Sequence, residues 1–228
     1  MSDIVLIIAA HPDDEILGCG GTIARLAQEG HAIYIAILGE GLTSRYERRE
    51  QVDRSLFAVL HKRCRLAADL MGATDLFLYD LPDNKFDTVP LLEVVKIVEA
   101  LIKRLKPQVI YTHYGGDLNI DHGIAFRAVM TAARPLPGSS VREVYTFETP
   151  SATEWGFQKF GPVFAPNVFV DISATLGKKL KAMQLYESEI REFPHPRSLD
   201  ALRAIARRWG SVAGLEAAEA FELVRAVR

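Results

Sequence analysis

The densest run of reactive side chains lies near the start of the chain. There Ala10-His11-Pro12-Asp13-Asp14-Glu15 closes the apolar stretch that begins at Ile4. Acidic residues at a helix start are favoured by the positive end of the helix dipole. That accounts for part of the acid, but not for His11 at the end of an apolar run or for two adjacent carboxylates. A divalent cation accounts for both. His11 and one aspartate would coordinate it, and the other aspartate, left free, could handle the protons of a bound water. A catalytic zinc commonly takes three protein ligands and keeps a fourth position open, so a third ligand is required from elsewhere. His122 is the best candidate, because it opens a helix directly after the polar loop His113–Asp121.

These residues need a scaffold that brings distant loops together. Ile4–Ala10, Ala32–Leu38, Asp75–Tyr79 and Gln108–Thr112 read as short buried strands, followed by Val141–Phe147 and Asn167–Asp171. Gly18–Glu29, Arg45–Met71, Pro90–Lys106 and His122–Ala133 have helical length and spacing. Ala174–Glu189, Ser198–Trp209 and a terminal Leu215–Val227 read as helices too. Ser44-Arg45-Tyr46-Glu47 matches a capping box and predicts the start of the second helix. Strand–helix alternation of this kind predicts a three-layer α/β/α sandwich around a mostly parallel, Rossmann-like sheet. In such sheets ligands gather beyond the carboxyl ends of the strands. That edge would carry His11–Glu15, the loop Gly39–Arg45 and the loop His113–His122. Arg45 is placed to grip a hydroxyl or phosphate of a substrate. Asp83 and Asn84, in a Pro-Asp-Asn turn after the third strand, are similar candidates.

Composition narrows the partners. Twenty-seven basic and twenty-nine acidic residues in 228 leave a net charge of −2, without the basic excess of a nucleic-acid or anionic-membrane binder. Hydrophobic content of 49% is that of a globular chain, read as one domain over 1–228. No stretch nears the roughly 20 apolar residues of a membrane span, and Asp3 with the short apolar run does not make a signal peptide. Two cysteines, Cys19 and Cys64, both in apolar segments, fit a reducing cytoplasm rather than a disulfide framework. The composition is compatible with a homo-oligomer.

The chain resembles the LmbE-like/PIG-L deacetylases, zinc-dependent de-N-acetylases. Their first motif, Ala-His-Pro-Asp-Asp-Glu, is matched at all six positions by Ala10–Glu15. Gly18, Gly20 and Gly21, the Asp121-His122 pair and Ala218-Glu219-Ala220-Phe221 extend the likeness over nearly the whole chain. The resemblance implies His11, Asp14 and His122 as zinc ligands and Asp13 as general base. One position departs from the pattern. The family's second motif is usually His-Pro-Asp-His, whereas Asn119-Ile120-Asp121-His122 stands here. An amide can donate a hydrogen bond to an oxyanion but cannot transfer a proton at neutral pH. Asn119 is therefore expected to stabilise an oxyanion, with the amine's proton coming from Asp13, or else from His195 or His113.

The expected activity is metal-assisted removal of an acetyl group from an N-acetylated amino sugar or its conjugate. Zinc is the expected ion, although a His/His/Asp set also accepts Fe²⁺, Co²⁺ or Mn²⁺. An amidase for another N-acyl or thiol-conjugate substrate is the nearest alternative. A Rossmann-like nucleotide- or sugar-binding protein is a further one, favoured by Glu40 after the second strand. Its G-x-G-x-x-G fingerprint fails, because the third glycine would fall at Ile23.

Overall fold

A computed structural model describes residues 2–228. Its first half alternates as the apolar runs predict: β1 (Ile4–Ala9), α1 (Asp14–Gln28), β2 (Ala32–Gly39), α2 (Arg54–Met71), β3 (Asp75–Leu81), α3 (Leu91–Leu105), β4 (Val109–His113), α4 (Ile120–Ala132) and β5 (Glu143–Phe147). β6 (Val168–Asp171), α5 (Leu176–Leu185), α6 (Leu199–Ala213) and β7 (Ala218–Ala226) complete it. The seven strands form one sheet in the order β3-β2-β1-β4-β5-β7-β6. The first five are mutually parallel, and β7 runs antiparallel to both β5 and β6.

β1 is apolar throughout because both of its faces are covered. Val5, Ile7 and Ala9 pack with residues of α1, α2 and α5, while Leu6, Ile8 and Ala10 pack with α3 and α4. Fully burying each valine, leucine or isoleucine among them contributes roughly 1.5–3 kcal/mol, which fixes the register of the central strands. β1 lies between β2 and β4, where the winding of the sheet reverses, and a crevice opens there at the carboxyl ends.

Within the segment expected as a terminal helix, Ala218–Ala226 is a strand. Its Ala and Glu content favours a helix locally, but pairing with β5 on one side and β6 on the other satisfies its backbone and buries Phe221. The second helix starts at Arg54 rather than Arg45. Asp53 caps it by accepting the Ser55 N–H, while Ser44 bonds Asp83 instead of capping a helix. The first helix begins at Asp14, four residues earlier than expected, and kinks at Cys19.

The kink explains the tail motif. Glu219 accepts the backbone N–H groups of Gly21 and Thr22 at 2.9 and 2.7 Å and pairs with the buried Lys179 at 2.6 Å. Lys179 also donates to the Leu17 carbonyl. Glu219 thus satisfies the donors freed where α1 breaks. A Cβ at Gly18 would lie 2.2 Å from the Phe147 ring, so α1 can approach the sheet this closely only without a side chain there.

Candidate active site

Asp13 joins β1 to α1 with φ of 110°, a conformation that costs a non-glycine residue strain. Its N–H donates to Glu15 Oε2, its carbonyl accepts from Ile16 and Leu17, and Glu15 is itself held by the Tyr186 hydroxyl at 2.6 Å. The third acidic residue of the motif therefore shapes the loop and does not face the crevice.

Asp14 is the hub. Its Oδ2 accepts the His11 N–H at 2.8 Å and lies 3.3 Å from His11 Nδ1 and 3.3 Å from His122 Nε2. The ligand atoms of His11, Asp14 and His122 all fall within 4.8 Å of one another. Asp14 Oδ1 and His122 Nε2 are buried without a hydrogen-bond partner. Orphaned buried groups of this kind are costly unless something occupies the space between them.

The outer nitrogens of both histidines face carboxylates. His11 Nε2 is 2.9 Å from Asp121 Oδ2 and 3.4 Å from Asp83 Oδ1, and His122 Nδ1 is 3.2 Å from Asp117 Oδ2. Carboxylates in these positions orient metal-ligating imidazoles and raise their basicity. Burial alone would lower the His11 pKa, but Asp121, Asp14 and Asp83 outweigh it and push it up to about 10. His122 rises to about 9 against its burial, through Asp14 and Asp117. Burial favours a neutral Asp14, yet His122 and His11 hold its pKa well below the usual range. The pocket attracts positive charge, and its two imidazoles and carboxylate are a donor set that could hold a divalent cation.

Asp13 stands beside this cluster, 2% exposed. Burial raises its pKa, and the guanidinium of Arg197 opposes the rise from 3.0 Å away at Oδ2. Arg197 also donates through Nε to Ser151 Oγ and faces Glu189 Oε2 at 3.5 Å. Glu189 in turn pairs with Arg45.

A cavity of about 100 Å³ opens over the cluster, bounded by Arg45, Asp83, Asn84, Asn119, Glu189 and Arg197 above His11 and Asp13. The structure thus gathers His11, Asp13, Asp14, Arg45, Asp83, Asn84, Asn119 and His122 from four loops at one sheet edge. Asp83 is engaged by Ser44 and by Asn84 Nδ2. Asn119 caps α4 by accepting the Asp121 N–H, and donates to Asn84 Oδ1 at 2.9 Å.

His195 lies outside the cavity lining. Its Nδ1 accepts the Arg197 N–H, and its ring meets Trp155 edge-on at 5.3 Å. His113 is fully buried, with Nε2 accepting the Ala10 N–H and Nδ1 facing Thr149 Oγ1. Burial and then His122, stacked on it at 3.9 Å, drive its pKa well below the ordinary value. It braces His122 as a neutral ring.

Sequence reasoning missed Arg197, Glu189, Asp117 and the part played by Asp121. Asp121 stands beside His122 in the loop, and a carboxylate next to a ligand was the available signal. Arg197 and Glu189 carried none, because Arg197 meets Asp13 across 184 residues of sequence.

The family model PIG-L, described as GlcNAc-PI de-N-acetylase, matches residues 6–133. The chain is 30% identical over 190 residues to the uncharacterized deacetylase YaiS of Escherichia coli, covering 81% of this chain and 90% of that one. It is 26% identical over 227 residues to the diacetylchitobiose deacetylase of Thermococcus kodakarensis, covering 96% and 82%. The crystal structure of the 4-carboxy-2-hydroxymuconate hydratase GalB from Pseudomonas putida superposes with a TM-score of 0.77 at 21% identity, covering 100% and 98%. That likeness shows the fold alone, and a hydratase on the same fold means that chemistry must be argued from the residues.

Proposed function

We propose that this chain, which belongs to the PIG-L family, is a metal-dependent hydrolase that removes the acetyl group from an N-acetylated amino sugar or its conjugate. One observation carries the reading. Asp14 Oδ1 and His122 Nε2 are buried and unpartnered within a His/Asp/His set, and a carboxylate outside that set, Asp13, lies alongside. A sugar-binding protein has no use for that spare carboxylate, whereas hydrolysis needs a base there.

His11, Asp14 and His122 would hold the ion, with zinc the first choice and Fe²⁺, Co²⁺ or Mn²⁺ accepted by the same donors. When bound, such an ion supplies Lewis acidity toward a carbonyl and lowers the pKa of water. Asp13 acts as the base. Arg197 occupies its Oδ2, which leaves Oδ1 to take a proton from the attacking water. Asn119 Nδ2 spends one N–H on Asn84 and keeps a second for the developing oxyanion. The departing amine receives the proton held by Asp13, since His195 lies outside the cavity lining. Arg45, Asp83 and Asn84 line the space for sugar hydroxyls.

No helix among the described residues is long and apolar enough to cross a membrane. We assign the chain to the cytoplasm on its two buried free thiols, Cys19 and Cys64. The whole of 1–228 is read as one catalytic domain.

The test is amine release from a panel of free, nucleotide-linked, lipid-linked and thiol-conjugated N-acetyl sugars by metal-reconstituted protein. Stoichiometric free amine and acetate from at least one of them is the expected result. Metal-loaded protein that releases neither from any N-acyl sugar would remove the reading.

A further inference from the structure

Two arginines line the cavity, Arg45 from the loop after β2 and Arg197 from the segment before α6. Each could serve as an anchor for a phosphate or carboxylate on a substrate. Both already face the same internal carboxylate. Glu189 pairs with Arg45 through Oε1 and lies 3.5 Å from Arg197 through Oε2, and its side chain is 11% exposed. Ser188 Oγ donates to Oε1 at 2.9 Å, and the Glu189 N–H is tied to the Tyr186 carbonyl, so the carboxylate is fixed from its own strand of chain as well.

We propose that Glu189 is a specificity-determining residue that makes this mouth select uncharged N-acetyl sugars over sugars carrying a phosphate or carboxylate. The inference rests on the deacetylase reading and narrows its substrate class. An anionic group brought to Arg45 would have to displace Glu189 from it, or lie against it. Glu189 could not follow its partner into solvent without abandoning Arg197, which holds Asp13. Asp83 and Asp13 line the same cavity, so the two guanidiniums are already matched by carboxylates before any anion arrives. Hydroxyl groups meet no such opposition, because the carboxylates accept from them and the guanidiniums donate to them. Like-charge opposition at a partly desolvated contact is an established source of discrimination.

The experiment compares kcat/KM for two sugars of similar size, the methyl α-glycoside of N-acetylglucosamine and N-acetylglucosamine α-1-phosphate, with N-acetylglucosamine 6-phosphate as a second anion. Each is measured with metal-reconstituted wild type and with Glu189→Gln, which keeps the shape of the side chain and one accepting oxygen but not its charge. Wild type is expected to favour the neutral sugar over both anions. Glu189→Gln should compress that preference by about tenfold or more, mainly through KM for the anions. A general loss of rate through Arg197 and Asp13 cancels in the ratio. If Glu189→Gln does not fold, the wild-type preference and its relief by salt still decide the matter. Wild type that favours either anion, or a preference unchanged in Glu189→Gln, overturns the assignment while leaving the deacetylase reading in place. Failure to cleave any of the three sugars, or any member of the wider panel, removes the deacetylase reading and this inference with it.

Discussion

Arg197→Ala tests how the base is held. Arg197 Nη1 lies 3.0 Å from Asp13 Oδ2, and its side chain is 22% exposed. Charge centres about 4 Å apart at an effective dielectric near 20 interact by roughly 4 kcal/mol, which is a ceiling. Glu189 neutralises part of that guanidinium and its outer edge is exposed, so the effect falls well short of that ceiling. The sign follows from the role. A base acts only when ionised, so activity falls as the pH drops through the Asp13 pKa. Burial already raises that pKa and Arg197 opposes the rise. Without the guanidinium the pKa climbs further, and the acid limb of the rate profile moves to higher pH. On the acid limb the rate at a given pH should fall by about tenfold or more. Arg197→Lys, which keeps a charge without the planar fork, should recover part of the shift. The assay is kcat/KM for amine release from pH 5 to 9, with metal content measured on each preparation. An acid limb that stays in place in Arg197→Ala protein with full metal content would refute the reasoning.

Asp13→Asn should keep its metal while turnover falls by about 10²–10⁴; an active variant contradicts Asp13 as base. Asn119→Ser keeps an oxygen to cap α4, as serine caps about as well as asparagine, but removes the amide donor. Turnover should fall by about 10²–10³ with the melting midpoint nearly unchanged, and undiminished turnover would take Asn119 out of oxyanion stabilisation. Glu219→Ala strands Lys179, whose side chain is 7% exposed, and leaves two backbone donors unpaired. Breaking a buried pair in this way costs about 3–5 kcal/mol, which should lower Tm by roughly 6–20 °C. A shift of under 2 °C in calorimetry would mean that water replaces the carboxylate at the kink.

The sheet was legible because β1, β2 and β4 are buried on both faces and so spell continuous apolar runs. The motif loops were legible because a parallel sheet fixes where strand ends point. β7 was not, since Ala-Glu-Ala-Phe-Glu has the local preference of a helix and only its neighbours β5 and β6 make it a strand. The start of α2 was misplaced for a related reason. Ser44 has the chemistry of a cap, and the competing acceptor, Asp83, is 39 residues away. Arg197 and Glu189 belong to the same class of miss. One arginine in a Pro-His-Pro-Arg loop carries no local mark of the carboxylate it will meet.

The central claim is that one divalent ion, held by His11, Asp14 and His122, is required for amide cleavage. Its most direct test is a zinc titration of chelator-stripped protein, with bound metal and amine release read on the same samples, for wild type and His122→Ala. The account predicts that wild-type activity starts near zero and reaches its plateau at one equivalent of tightly bound zinc, while His122→Ala neither holds the ion tightly nor recovers activity. Full amine release by stripped wild type, or one tightly bound equivalent in His122→Ala, would contradict it.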